Sequence, residues 1–113
     1  MGDNNLVGSI PSSFGKLTVL RQMFLNDNKL TGRIPMELSQ MNYLSILSVK
    51  NNNLIGSIPS ELARLEMLNE LLLSGNNFEG SISDEMCVRG IDKITHDSTV
   101  TCGCCSEFKP PLL

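Results

Sequence analysis

A strict internal repeat governs this 113-residue chain, because several residue types recur at intervals of 24 residues. The repeating columns are glycine (Gly8, Gly32, Gly56, Gly80), isoleucine (Ile10, Ile34, Ile58, Ile82) and asparagine (Asn4, Asn28, Asn52, Asn76). A period of this length predicts a solenoid, in which one unit cannot bury its own apolar edge and successive units stack on one another. Aromatic residues make up only 4% of the chain, so the shared core is expected to be aliphatic.

Each unit divides into three parts that differ in periodicity. The first part alternates, as in Leu47-x-Val49, which is the pattern of a strand whose two apolar residues point inward. The second, Asn-x-Leu-x-Gly-x-Ile-Pro, is rich in turn residues, and the fixed glycine indicates a backbone conformation or close approach that a side chain would obstruct. The third has apolar residues at intervals of three, as in Leu38, Met41 and Leu44, which favours a short 3₁₀ or helical segment.

The asparagine column has a structural interpretation. A chain that turns sharply after each strand leaves backbone N–H and C=O groups inside the coil, and those groups need hydrogen-bond partners. An asparagine amide supplies two donors and an acceptor. We therefore expect Asn28, Asn52 and Asn76 to stack as a buried ladder. The alternative is that they are exposed turn residues, a role that asparagine also favours.

These residues resemble the plant-type leucine-rich repeat, L-x-x-L-x-x-L-x-L-x-x-N-x-L-x-G-x-I-P-x-x-L. The middle unit matches this pattern at Met41, Leu44, Leu47, Val49, Asn52, Leu54, Gly56, Ile58, Pro59 and Leu62. The resemblance covers residues 1–86, as a partial first unit followed by units near 17–40, 41–64 and 65–86. It implies an α/β repeat solenoid, a right-handed superhelix with a parallel sheet on its concave side. The convex segments are expected to be short 3₁₀, helical or extended pieces, with a second short strand in the L-x-G-x-I-P segment.

Both ends depart from the repeat. Met1 stands where the leucine before the asparagine turn belongs, and the family's N-terminal cysteine cap is missing, so we interpret the chain as a fragment. After Met86 the strict phase would place Thr95 and Asp97 inside the next coil, and both are poor core residues. Val100 and Cys102 suit an inward pair better.

We therefore expect a lengthened turn over residues 87–99 and a closing strand over residues 99–104. Residues 87–105 would form a C-terminal cysteine cap, and residues 106–113 a tail. The cap is similar to the cysteine-rich ends of leucine-rich-repeat proteins predicted in diatoms and related algae.

The cap holds all four cysteines of the chain, Cys87, Cys102, Cys104 and Cys105. An even number in a terminal cap indicates disulfides and therefore an oxidising compartment. Of the three possible pairings we favour the one that joins Cys87 to Cys102, and a bond between the adjacent Cys104 and Cys105 would be strained. The alternatives are a zinc site that includes His96, although Cys-x-Cys-Cys is not the usual Cys-x-x-Cys knuckle, and free thiols of a cytosolic protein.

Several functional classes find no support. The net charge of −3 lacks the basic stripe of a nucleic-acid-binding protein, and no run approaches the ~20 apolar residues of a membrane helix. His96 is the only histidine, and its neighbours Asp97 and Ser98 are adjacent in sequence rather than placed by a fold, so we interpret it as a cap or surface residue. We expect no signal peptide within this fragment, because its N-terminus lacks a basic stretch followed by an apolar one. We expect no catalytic residues, no metal and no cofactor.

The binding surface is predicted from the residues that differ between units. They flank the inward pair of each strand and are Gln22, Phe24, Asn26, Ile46, Ser48, Lys50, Glu70, Leu72 and Ser74, with Asp27, Asn51 and Gly75 at the strand ends. Phe24, Ile46 and Leu72 suggest a small apolar patch, although singly exposed apolar residues are common. Three strands ~5 Å apart and ~17 Å long offer only a few hundred Å², against about 800 Å² per side in a stable complex, so this piece alone should bind weakly.

These features favour a recognition module of a secreted or cell-surface protein that binds a protein or peptide, or alternatively a glycan, through its concave face. One alternative is an ectodomain fragment of a receptor-like kinase whose catalytic part is absent. Another is a structural or inhibitor-like solenoid that binds no small ligand. A transmembrane segment and kinase motifs in the full gene would favour the receptor-kinase ectodomain. A screen in which the complete protein binds no ligand would favour the structural or inhibitor-like solenoid.

Overall fold

The computed structural model describes residues 5–89 and 91–103. Its strands form three parallel groups that follow the repeat. The concave sheet contains β2 (Gln22–Phe24), β4 (Ile46–Ser48), β6 (Glu70–Leu72) and β9 (Lys93–Thr95). A second sheet contains β1 (Val7–Ser9), β3 (Lys29–Gly32), β5 (Asn53–Gly56) and β7 (Asn77–Phe78). A third pair joins β8 (Gly80–Ser81) to β10 (Val100–Thr101).

Three short 3₁₀ helices complete the coils, over Ser12–Lys16, Met36–Gln40 and Ser60–Arg64. Each begins directly after a proline whose extended backbone ends the preceding turn, as at Pro35 (φ −71°, ψ 136°). The bonds are of the 3₁₀ type, since the Leu38 N–H donates to the Pro35 carbonyl at 3.2 Å. The α/β repeat solenoid and its second strand, both expected from the resemblance, are therefore confirmed.

The fourth coil has an α-helix in this place, α1 (Asp84–Arg89). Ser83 replaces the proline of the other coils, and its hydroxyl oxygen accepts the backbone N–H of Met86 at 3.3 Å. That bond is an N-cap interaction, and the carboxylates of Asp84 and Glu85 in the first turn favour the positive end of the helix dipole. The coil in which Ser83 replaces the proline is thus the one that has an α-helix.

The core is a set of aliphatic rows that run through successive coils. Met23, Leu47, Leu71 and Ile94 lie side by side in the concave sheet, since each is the register partner of the next. All four are at most 5% exposed. Leu25, Val49 and Leu73, one inward position further along, are also buried. The coils thus stack in register, with the 3₁₀ helices closing the core through the buried Leu38 and Leu62.

The glycine column is required by the backbone. Gly8, Gly32, Gly56 and Gly80 have φ values of +87°, +80°, +85° and +85°. This left-handed region is costly for residues that carry a Cβ atom, so the position where the second strand turns towards the proline accepts little else.

The predicted closing segment, residues 99–104, does contain a strand, β10, but this strand is not the next one of the concave sheet, and the predicted turn over residues 87–99 is wrong because β9 lies within it. The fourth concave strand is β9, where Ile94 pairs with Leu71, and Val100 lies instead beside Gly80 in the separate two-stranded sheet. Leu71 and Ile94 are 23 residues apart, one fewer than the period of the repeat. A strict 24-residue period therefore predicts Thr95, and not Ile94, as the inward residue, and the strand is missed. Val100 is buried, but it covers a different part of the core.

Candidate functional site: the concave face and its asparagine ladder

The three asparagines Asn28, Asn52 and Asn76 are buried at 6–8% exposure along one side of the stack. The Asn52 Oδ1 atom accepts the backbone N–H of Leu30, in the preceding coil, at 3.0 Å. Its Nδ2 atom donates to the carbonyls of Leu25 and Val49 at 2.9 and 3.0 Å. Asn76 repeats this arrangement one coil later, with its Nδ2 atom donating to Val49 at 2.8 Å. Each amide therefore ties two coils together at the point where the concave strand ends.

Beyond Asn76, the last asparagine of the ladder, polar side chains of the next coil form hydrogen bonds with the backbone. One carboxylate oxygen of Asp97, Oδ2, accepts the backbone N–H groups of Gly75 and Asn76 at 2.7 and 3.0 Å. The Thr95 hydroxyl oxygen accepts the N–H of Leu73 at 3.2 Å, and the Thr99 hydroxyl donates to the carbonyl of Phe78 at 2.7 Å. The side chains of Thr95 and Asp97, the two residues that are unsuitable for a core, thus form hydrogen bonds with backbone groups of the last full coil.

The outward residues of the concave sheet form two adjacent columns. Phe24, Ser48 and Leu72 are register partners in one column, which Thr95 extends into the cap. The second column contains Gln22, Ile46, Glu70 and Lys93. Asn26, Lys50 and Ser74 follow just beyond the strands. The structure thus brings the nine predicted residues together on one face.

Their exposures differ more than the sequence suggests. Phe24 is 42% exposed, whereas Ser48 is only 2% exposed. Alternation along the strand groups Ser48 with the outward-facing residues, but its short side chain lies between two larger neighbours, Phe24 and Leu72, and forms the floor of a cleft. The cleft has a volume of about 230 Å³, and its lining residues are Phe24, Asn26, Asp27, Ser48, Lys50, Asn51 and Leu72.

The rim of the cleft includes Asp27 and Asn51, which the sequence places at the strand ends but outside the predicted binding row. Both adopt left-handed backbone, with φ of 61° and 59°. The Asp27 carboxylate accepts hydrogen bonds from the side-chain amides of Asn26 and Asn51, each at 2.8 Å. Aspartate and asparagine are the non-glycine residues most often found in this conformation, and this preference is the signal that could have identified the rim.

Hydrogen bonds from Asn26 and then Asn51, with a smaller contribution from the Lys50 charge, hold the pKa of Asp27 below its usual 3.8. A carboxylate whose pKa is lower in the folded chain than in the unfolded chain stabilises the fold at pH values above the unfolded pKa. This stabilisation is lost as the pH falls through the lower pKa of the folded chain.

We expect the Asp27 carboxyl resonance to titrate below pH 3.8 in the native chain. In Asn51→Ala its midpoint should rise; an unchanged midpoint would mean that the hydrogen bond does not stabilise the ionised form.

An apolar hollow of about 250 Å³ lies at the first coil, lined by Leu6, Val7, Ser9, Ile10, Pro11, Phe14, Leu25 and Leu30. Most of its lining residues belong to the first described coil, on which no described coil packs from the N-terminal side. The hollow is therefore the end of the stack within the described part of the chain, and it carries few polar groups that could orient a ligand.

The cap contains two described cysteines, Cys87 and Cys102, which are half-buried and disulfide-bonded. Cys104 and Cys105 lie outside the described residues, and the pairing of Cys87 with Cys102 stays a prediction. His96 is half-buried, and its Nδ1 atom lies 2.9 Å from the carbonyl oxygen of Asp97. Across residues 5–89 and 91–103, no helix has the length and apolar character needed to cross a bilayer.

Comparison with known proteins gives a family match and a set of similar structures. The leucine-rich-repeat family model matches residues 19–41, 43–65 and 67–88, which together are more than half of the chain. No curated protein sequence matches this chain. Among solved structures, the BIR3–SERK2 complex from Arabidopsis thaliana is similar at 37% identity and a TM-score of 0.78, over 89% of this chain and 54% of that one.

Two further similar structures are complexes with peptide hormones. One is the Arabidopsis receptor kinase HAESA with the peptide hormone IDA and the co-receptor SERK1, at 31% identity and a TM-score of 0.81, over 90% of this chain and 17% of that one. The other is the plant peptide hormone receptor RGFR1 with RGF2, at 33% identity and a TM-score of 0.77, over 85% of this chain and 15% of that one. The chain thus spans at most about half the length of these proteins. Its family match, its stacked 24-residue coils and its asparagine ladder agree, and the chain belongs to the leucine-rich-repeat family.

Proposed function

We propose that this chain is a non-catalytic recognition module that binds a protein or peptide through its concave face. The observation that carries this proposal is the cleft on that face, which has apolar walls and a polar rim. Such a combination of apolar lining and a few placed polar groups is typical of ligand sites in proteins. The rest of the concave surface offers charged and amide groups, including Gln22, Glu70 and Lys93, that can orient a chain lying across the strands.

The similar structures support the same class of ligand. HAESA and RGFR1 are plant receptors seen in complexes with peptide hormones, and HAESA also with a co-receptor protein. We infer that the parent of this chain is a secreted or cell-surface protein, in keeping with the cysteines of its cap. An ectodomain of a receptor kinase is the second candidate for the parent, because the similar structures include receptor kinases.

Because the ligand is unidentified, the proposal is tested with peptides selected from a random library displayed on phage. Peptides recovered on the full chain are measured by biolayer interferometry on the native chain, Phe24→Asp and Ile55→Asp. The two positions are matched, since Phe24 is 42% exposed on the concave sheet and Ile55 is 48% exposed on the second sheet. We expect Phe24→Asp to weaken binding by roughly tenfold or more and Ile55→Asp to change it by less than about twofold.

Circular dichroism of both variants should match that of the native chain, because each replaced side chain lies at the surface. A loss of signal in Phe24→Asp would show that the inward and outward assignment is wrong. Equal weakening by both substitutions would place the binding surface elsewhere. Failure to recover any peptide would favour the structural or inhibitor-like solenoid that binds no small ligand.

A further inference from the structure

We propose that one flank of the stack binds a second copy of this chain, with the two copies antiparallel about a two-fold axis. The flank lies where the chain passes from each 3₁₀ helix to the next concave strand. Its central residues, the flank column, are Val19, Tyr43 and Met67. The proposal goes beyond the recognition function, because none of these residues lines the cleft of the concave face.

The flank column is apolar and exposed in all three coils. Val19, Tyr43 and Met67 follow one another at intervals of 24 residues and are 79%, 51% and 52% exposed. The coils are joined just beyond the column, since the N–H of Ser45 donates to the carbonyl of Arg21 at 2.7 Å, and the next coil repeats this bond. Members of the column therefore lie about 5 Å apart, the spacing of paired strands. Singly exposed apolar residues are common, but a contiguous apolar column marks an interaction surface.

A hollow of about 300 Å³ lies on the flank, and both Tyr43 and Met67 line it. Its other lining residues are Asn42, Arg64 and Glu66, so apolar surface and charge meet at one place. Tyrosine, methionine and arginine are enriched in the contact surfaces between proteins, where side chains of one partner fill hollows in the other. The composition and the shape of the flank therefore suit a protein partner.

The charges of the flank identify which partner fits. Its N-terminal coil carries the cations Lys16 and Arg21, and its middle coil carries no charged residue over positions 40–46. Its C-terminal coil carries the carboxylates Glu66 and Glu70, which outnumber the one cation, Arg64. The flank is thus basic at one end, neutral at the centre and acidic at the other end. A second copy in the reverse direction presents the complementary sequence of charges.

A two-fold axis at Tyr43 brings these groups together. The rotation sets Tyr43 against the same residue of the second copy and Val19 against Met67. Along the coils Arg21 follows the flank column and Glu66 precedes it, so Arg21 of each copy meets Glu66 of the other. The contact therefore occurs twice, as a symmetric dimer requires. Within one chain the two residues lie two coils apart, and neither forms an ion pair with any residue that the structure describes.

The size of the flank sets the expected affinity. Three coils contribute about fifteen residues, against roughly 20–30 per side in an interface of standard size. We therefore expect a reversible dimer with a dissociation constant of about 100 µM. Sedimentation equilibrium of the full chain between ~10 µM and ~1 mM covers both sides of this value and measures it.

Two methionine variants test whether the flank forms the dimer. Met67 and Met36 are 52% and 55% exposed, but Met36 begins a 3₁₀ helix and lies outside the flank. Met67→Asp should weaken dimerisation by roughly tenfold or more, and Met36→Asp should change it by less than about twofold. A native chain that stays monomeric up to ~1 mM, or a dimer that both substitutions weaken equally, would overturn the proposal.

Charge reversal tests the antiparallel arrangement. Arg21→Glu and Glu66→Arg each set like charges against one another at both contacts, so either variant alone should dimerise at least about tenfold more weakly than the native chain. In an equal mixture the acidic variant meets the basic one, and both contacts again join opposite charges. The mixture should associate within about threefold of the native affinity. A mixture that associates no more tightly than the separate variants would contradict the two-fold pairing.

The dimer and the proposed function fail in different ways. Phe24→Asp alters the concave face and should leave dimerisation unchanged, whereas Met67→Asp should leave the binding of phage-selected peptides unchanged. If selected peptides depend on Phe24 but the native chain forms no dimer, the flank proposal is wrong and recognition by the concave face stands. If the dimer depends on Met67 but peptides bind without Phe24, the function proposed for the concave face is wrong.

Discussion

Replacement of Asn52 by alanine is expected to lower the free energy of unfolding by roughly 3 kcal/mol, because buried backbone groups in two coils lose their partners. The Asn52 amide accepts the N–H of Leu30 and donates to the carbonyls of Leu25, Val49 and Lys50, all within 3.1 Å. Alanine can replace none of these bonds, and the coil interior leaves little space for water.

Urea unfolding followed by circular dichroism measures this effect, and the chain contains its own control. Asn53 is the next residue but is exposed, so Asn53→Ala should change stability by no more than ~0.5 kcal/mol. Equal losses in the two variants would mean that the asparagine column has no special structural role.

Replacement of Leu47 by alanine should cost about 3 kcal/mol as well, for a different reason. Leu47 is fully buried in the central concave strand, where it lies between Met23 and Leu71. Truncation of a buried leucine loses its transfer free energy and leaves a cavity that neighbouring coils cannot close without shifting.

The adjacent residue provides the comparison. Ile46 lies in the same strand but points to the concave surface and is only half-buried, so Ile46→Ala should cost less than ~1 kcal/mol. Thermal and urea unfolding of both variants would measure the difference. A larger loss for Ile46→Ala than for Leu47→Ala would reverse the inward and outward faces of the strand and remove the basis of the binding surface.

The repeated part of the fold could be predicted because each coil satisfies the same local requirements. Pro35 precedes a 3₁₀ helix, Gly56 adopts a left-handed backbone and Leu47 lies in the core, and each recurs with its equivalents at a fixed step. Periodicity reports such requirements directly, since a stack in register places equivalent residues in equivalent surroundings.

The cap could not be predicted in the same way, because its polar residues have new roles. Asp97 reads as a misplaced core residue, but its carboxylate accepts the backbone N–H groups that the ladder would otherwise leave without partners. Ile94, flanked by Lys93 and Thr95, provides too short an alternation to identify a strand once the spacing has changed by one residue. A single apolar residue such as Ile94 is a weaker strand signal than an alternating apolar pair such as Val100 and Cys102.

The sequence predicts which residues face the concave surface but not how far each of them is buried. Alternation identifies Phe24, Ser48 and Leu72 as outward residues, and register places them in one column. The burial of Ser48 depends on the size of its neighbours on two other strands, which one strand's pattern does not report. The positions of Asp27 and Asn51 at the rim depend on left-handed turns, which the asparagine and aspartate at these positions favour but do not by themselves predict.

The register of the stack underlies the ladder, the core and the cleft alike, and methyl NOE spectroscopy tests it most directly. With selectively labelled leucine and valine methyl groups, Val49 should show contacts to both Leu25 and Leu73, because the three residues directly follow adjacent strands of the concave sheet. No direct contact should join Leu25 to Leu73. Contacts between Leu25 and Leu73, or the absence of either contact to Val49, would contradict coils stacked in register.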